Sequence, residues 1–232
     1  LNVALGENER RDLALRPTDN LDAYDALLRG DKAWDWPSNA APIVNIRTAI
    51  ALYQEAIKLD PRFAAAYGRL SRANVVLSIL AGGTVDPAVR DSMRQLAERA
   101  VALDPDGPDG HGSLGFYYAY VEPVDLGKAL QEYSRIRRLP ADKEGMLRRV
   151  GTAEARLGRE VGLTRLGEAV SISPRSAGAA RILALQLAGY RQYPKSIEMA
   201  DRSLGLDSSQ QQVHSGKLLT LLALGAVAGG DG

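Results

Sequence analysis

The stretch Ala49 to Pro61 reads AIALYQEAIKLDP, and its reading decides the fold. Ala49, Tyr53 and Ala56 recur at steps of four and three residues, which places two small side chains and one aromatic on a single helix face. The closing proline cannot continue a helix and biases the residue before it away from helical dihedrals. The chain is therefore expected to turn at Asp60-Pro61 and begin a new helix. Weaker copies return at Ala100–Pro105 (AVALDP), Ala169–Pro174 (AVSISP) and Leu204–Ser208 (LGLDS). Pro140 to Pro174 and Pro174 to Ser208 are each 34 residues, and Pro105 to Pro140 is 35. Pro61 to Pro105 is 44, which is 34 with an insertion of ten.

A period of 34 with small residues, an aromatic and a closing proline at fixed offsets resembles the tetratricopeptide repeat. The small side chains let neighbouring helices approach, and the larger one fills the gap between repeats. The fold class this implies is all-α, a right-handed superhelix of antiparallel helix pairs, or α-solenoid, in which each repeat touches its neighbours. A generic helical bundle with coincidental spacing is the competing reading. Residues 1–20 are expected to form a tether, and residues 21–232 an array of about five repeats plus a C-terminal capping or truncated helix.

Composition agrees with helix. Of 232 residues, 45% are hydrophobic but only 6% aromatic, and runs of Ala, Leu, Arg and Glu favour helix over strand. The net charge is +1, so no global field draws the chain to nucleic acid or to an anionic membrane. There is no cysteine, hence no disulfide and no thiolate metal site. The chain begins at Leu1, which reads as the start of a piece of a longer protein. The first twenty residues carry several charges and no apolar core, unlike a secretory leader. The longest apolar run, Leu218 to Gly230, spans 13 residues, too short for an ordinary membrane span. A cytoplasmic location and no membrane contact are expected.

In chain order, Thr18, Asp19 or Asn20 can cap a helix whose apolar stripe is Leu21, Tyr24, Leu27 and Leu28. Trp34 and Trp36 follow beside a Pro-containing loop, either closing the end of a core or forming a ligand platform. Repeat two starts near Ala64, with Tyr67, Leu70, Ser71 and Asn74 facing inward. The inserted residues 80–89, LAGGTVDPAV, are expected as a loop, either a tolerated surface insertion or a lid, before a helix over Asp91 to Leu103. Residues 104–112 fail the calcium-loop pattern, since the fifth position is Pro108 and the twelfth Gly115. They read as a turn. Repeat three begins at about His111, with a second helix over Leu126 to Leu139. The span 135–149 holds Arg135, Arg137, Arg138, Lys143, Arg148 and Arg149, either a solvated face or a site for phosphate or an acidic partner. Repeats four and five occupy 143–176 and 177–210, with internal turns at Leu157-Gly158-Arg159 and Ala188-Gly189-Tyr190, and a last helix runs over Val213 to Leu224.

Residues Arg16-Pro17-Thr18, Asn20, Ala23-Tyr24-Asp25 and Leu28-Arg29-Gly30, followed by a helix ending Leu59-Asp60-Pro61, carry a closer resemblance. They are similar to the segment opening the tetratricopeptide region of many bacterial class III adenylate and guanylate cyclases, and of related signalling proteins. The resemblance implies a regulatory region attached to an effector. None of a cyclase's catalytic residues has a counterpart in this chain.

No phosphate loop, His-Glu-x-x-His or Gly-x-Ser-x-Gly is present, and the two histidines, His111 and His214, lie about a hundred residues apart. The chain is read as a non-enzyme with no cofactor. The expected function is a protein–protein interaction module that holds a peptide or protein segment in a concave groove. The alternatives are a spacer or self-association array, including a homodimer, or a small-ligand sensor. Aligned first helices place Arg72, Phe116, Gly151 and Leu185 at a ninth position expected to face the groove, and Val76, Tyr120, Ala155 and Gly189 one turn on. Candidate partner-binding residues are Arg69, Arg72, Phe116, Tyr120, Arg181 and Leu185. Phe116 and Tyr120 are expected either as an exposed pair or as rings that pack repeat three against its neighbours, Tyr118 turns to the core, and Gly68, Gly112 and Gly151 leave room for the segment. Tetratricopeptide domains that hold chaperone tails use Lys and Asn where this chain has Gly68 and Arg72, or Gly112 and Phe116, so that binding mode is not expected.

Overall fold

Each proline-closed segment becomes a helix ended by a short turn. The computed structural model describes residues 17–34, 42–82, 85–136, 143–209 and 211–229. Among these it shows eleven α-helices and no strand. They are α1 (Leu21–Ala33), α2 (Pro42–Leu59), α3 (Ala64–Ala81), α4 (Pro87–Leu103), α5 (Pro108–Tyr120), α6 (Leu126–Ser134), α7 (Lys143–Arg156), α8 (Val161–Ile172), α9 (Ala177–Gly189), α10 (Tyr193–Leu206) and α11 (Gln211–Gly229). They belong to two units, the first running up to Tyr117 and the second from Tyr118. The tether expected over residues 1–20 lies outside the described residues up to Arg16, as do Trp36, Arg137 and Arg138.

In the first unit, the junction residues are structural ties. Asn20 caps α1 by accepting from the Ala23 amide at 3.0 Å, and its own amide donates to the Leu59 carbonyl at 2.9 Å. The Thr18 hydroxyl donates to the Asp60 carboxylate. The start of α1 is thus held to the end of α2. Ala49, Tyr53 and Ala56 are buried, packed with Ala23, Ala26 and Leu27 of α1, Phe63, and Leu70 of α3. Trp34 packs at the edge of this core. Gly30 makes room for Tyr53, because a Cβ there would stand 2.5 Å from the ring.

The insertion is not the loop expected over 80–89. It lengthens both helices of its pair. α3 has 18 residues and α4 has 17, against 13 and 14 in the corresponding α9 and α10. The connection between α3 and α4 is five residues and that between α9 and α10 three. The differences of five, three and two account for all ten inserted residues. Pro87 sits in the first turn of α4, where its missing N–H costs nothing, and Asp86 caps it. That helix therefore starts four residues before the expected Asp91. Conversely α6 stops at Ser134 rather than reaching Leu139, and α11 runs over Gln211–Gly229, longer than the expected Val213–Leu224.

In the second unit, helix pairs close through small residues. The Ser196 hydroxyl donates to the Ala184 carbonyl and that of Ser203 to the Ala177 carbonyl. Seven residues forward on α9 match seven backward on α10, so the pair is antiparallel. Gly151 of α7 meets Gly162 of α8, where an added Cβ on Gly162 would lie 2.5 Å from the Gly151 carbonyl. Leu166, Val170, Leu183 and Leu187 join α8 to α9, and Ala184, Ala200 and Val213 continue the core to α11.

The turns share one device. The Tyr67 hydroxyl donates to the Pro61 carbonyl, His111 Nε2 bonds the Pro105 carbonyl at 2.9 Å, and His214 Nε2 bonds the Ser208 carbonyl at 3.1 Å. In each case a side chain six residues on satisfies a turn carbonyl. Both histidines therefore have the same structural task. The turn after α7 places Gly158 at φ 75°, as Gly readily allows. The matching turn follows Gly189, the last residue of α9, and places Arg191 at φ 57°.

Candidate partner-binding site

The first helices of the pairs carry the candidate residues, and each unit uses them differently. In the first unit Arg69 sits on α3 between two acids. Its Nε is 3.3 Å from Asp31 Oδ1 on α1 and 3.8 Å from Asp109 Oδ1 on α5. The same Asp31 oxygen accepts from the Tyr53 hydroxyl at 2.8 Å. Burial, then the Asp31 charge, push the Tyr53 phenol far above its ordinary value. Arg69 is therefore an internal clasp joining α1, α3 and α5. Arg72 and Phe116 are half-buried. The Arg72 charge acts on Tyr53, and both residues hold interactions within the fold.

Gly68, expected to leave room for a partner, does the opposite. A Cβ there would meet the Asp109 carbonyl at 2.7 Å, and Ser113 donates to the Gly68 carbonyl at 2.8 Å. The glycine is a point of close helix contact. Gly112 is likewise buried. Gly151, also expected to leave room, instead meets Gly162 and Leu166 of α8. Ala155, one turn further, is buried as well. The ninth and thirteenth positions therefore do not make a continuous exposed row.

In the second unit Tyr120 is half-buried, not exposed. Its ring packs against the cluster of Ala119, Ala129, Tyr133 and Ala153. The Arg156 guanidinium lies 5.7 Å from the ring centroid, and its Nη1 donates to the Ala119 carbonyl at 2.9 Å. Burial pushes the Tyr120 phenol up, opposed by Arg156, Arg148, Arg181 and Arg149. Tyr118 packs on the same cluster, as expected for a core-facing ring, with the Lys128 ammonium 5.6 Å above it. On α9, Arg181 is half-buried and Leu185, one turn on, is 61% exposed between buried Leu183 and Leu187. Burial first, then Arg148, push the Arg181 guanidinium below its ordinary value, while Tyr120 acts the other way.

The candidate residues thus separate by unit: Arg69, Arg72 and Phe116 in the first, Tyr120, Arg181 and Leu185 in the second. Sequence reasoning missed Arg156 as the cation over Tyr120. It had Arg148 within a basic span, but two members of that span are paired locally, Arg135 with Glu132 at 2.8 Å and Arg148 with Glu144 at 2.7 Å.

Comparison with solved structures places this architecture. The thermophilic tetratricopeptide protein TTC0263 of Thermus thermophilus superposes with a TM-score of 0.66 at 15% identity, covering 86% of this chain and 99% of that one. The fold is that of the tetratricopeptide repeat. PilF of Pseudomonas aeruginosa matches at a TM-score of 0.53 and 14% identity, covering 90% of this chain and 93% of its own. YrrB, described as a tetratricopeptide protein with an unusual peptide-binding site, matches at 0.50 and 17% identity, covering 92% and 99%. No family model and no curated protein matches the chain. Among the described residues no helix is long and apolar enough to cross a membrane, and no group of three metal-ligating side chains comes together.

Proposed function

We propose that this tetratricopeptide array is a protein-interaction module whose first-helix faces receive a peptide or protein segment of a partner. The observation that carries this reading is Leu185. It stands 61% exposed on α9 although both flanking leucines of the helix are buried, so the core does not need it there. Arginine is among the residues that most often dominate binding energy at interfaces, and Leu185 adds an apolar surface one turn away that can exclude water from it. The peptide-binding site ascribed to YrrB supports the same use of the fold. The resemblance of residues 16–30 to the entry of cyclase tetratricopeptide regions supports a regulatory role beside a bacterial signalling effector such as an adenylate cyclase, in the cytoplasm.

The test is selection of a random peptide display library on the immobilised 232-residue chain. The reading expects selected peptides whose binding drops at least about tenfold in Leu185→Ser, with the melting temperature kept. Peptides indifferent to that change would overturn it.

A second reading, self-association, rests on α11, which exposes Leu218, Leu219, Leu221 and Leu222 in succession. It expects a homodimer by sedimentation that dissociates in a Leu218→Ser, Leu222→Ser double variant. A monomer at all concentrations would exclude it.

A further inference from the structure

The first helices of the second unit carry a charge imbalance. α7 has four basic residues, Lys143, Arg148, Arg149 and Arg156, against Glu144 and Glu154. Both acids are engaged. Glu144 pairs with Arg148 at 2.7 Å, and Glu154 pairs with Arg165 of α8 at 2.7 Å. α9 has one charged residue, Arg181. Among the described residues no carboxylate lies within ion-pair distance of Arg181. The groups that act on it are Arg148, of like charge, and the Tyr120 phenol.

A half-buried guanidinium with no carboxylate in ion-pair reach raises the free energy of the fold unless an anion answers it. Its planar fork of N–H donors suits a carboxylate, which it binds through two parallel hydrogen bonds. Beside it, Leu185 sits four residues on along α9, so the two side chains start about 5–6 Å apart. In an extended peptide, residues two apart share a face at a spacing of about 6.6–6.8 Å. The arginine and the leucine are therefore matched to an acidic and an apolar side chain at that interval.

We infer that Arg181 receives the carboxylate of an Asp or Glu in an extended acidic segment of a partner protein, and that Leu185 receives an apolar side chain two residues away. This rests on the interaction-module reading and adds the chemistry of the segment. Charge complementarity decides the occupant: three more basic than acidic side chains lie on α7 and α9, and both acids of α7 are already paired.

The test uses fluorescence anisotropy on the full chain with a labelled peptide of three Glu-Ser-Leu units, capped at both ends so that no terminal carboxylate contributes. A peptide with Gln in place of Glu is the control. The inference expects the Glu peptide to bind at least about tenfold tighter than the Gln peptide, and Arg181→Gln to erase that difference. Leu185→Ser is expected to weaken both peptides alike. Should Arg181→Gln fail to fold, Arg181→Lys keeps the charge without the fork and is expected to retain part of the preference. Equal binding of the two peptides by the native chain would overturn the acidic segment while leaving the module reading intact. So would library selection that yields binders without acidic enrichment. Displacement of the Glu peptide by inorganic phosphate, where sodium chloride of equal ionic strength has no effect, would overturn it in favour of a small-anion site.

Discussion

Arg69 and Arg181 both stand on first helices, and they do opposite things. Arg69 in the first unit lies between Asp31 and Asp109 and shares Asp31 with the Tyr53 hydroxyl. Arg181 in the second unit feels the charge of Arg148 and the Tyr120 phenol, with no acid in reach among the described residues. The first arginine holds three helices together. The second has no carboxylate to balance it among the described residues. A charge is available to a partner only where the fold has not already answered it, and residue type alone does not distinguish the two cases.

The largest effect expected concerns the packing on which the second site stands. Gly162→Val drives a side chain into the Gly151 carbonyl, a backbone atom that cannot move aside, and should destabilise by about 3 kcal/mol or more. Chemical denaturation checks this; a loss below about 1 kcal/mol would show that α7 and α8 have slack. Next comes Arg69→Gln. It leaves Asp31 and Asp109 partly buried without their cation and should cost about 1–2 kcal/mol after allowance for their partial exposure. Stability unchanged on substitution would mean the clasp is ornamental and the contrast with Arg181 false. A smaller gain is expected from Arg191→Gly, which relieves a left-handed conformation at φ 57°, by about 0.5–1 kcal/mol. A drop in melting temperature would contradict that assignment of strain.

The period of 34 made the helices and their pairing legible, because proline and small residues act locally and repeat in sequence. It could not fix the rotation of each helix about its axis. The repeat count puts Gly151 on the open face, yet its contact with Gly162 turns it inward. Leu185, by the same count, does lie exposed. The partners of Arg69 are 38 and 40 residues away on neighbouring first helices, so its neutralisation is visible only once those helices are stacked. The insertion read as a loop from Gly82, Gly83 and Pro87, but proline at a helix start promotes helix, and the added residues went mostly into α3 and α4. The histidines carried no signal of their turn contacts except their shared place six residues beyond Pro105 and Ser208.

One paired measurement tests the contrast most directly: thermal stability and Glu-peptide affinity of Arg69→Gln and Arg181→Gln, side by side. Arg69→Gln is expected to lower stability by about 1–2 kcal/mol and leave the peptide affinity of the folded protein unchanged. Arg181→Gln is expected to leave stability within about 0.5 kcal/mol of the native chain, since no carboxylate among the described residues relies on it, and to weaken the peptide at least about tenfold. An Arg181→Gln protein that loses stability as Arg69→Gln does, while binding the peptide as tightly as the native chain, would contradict the account.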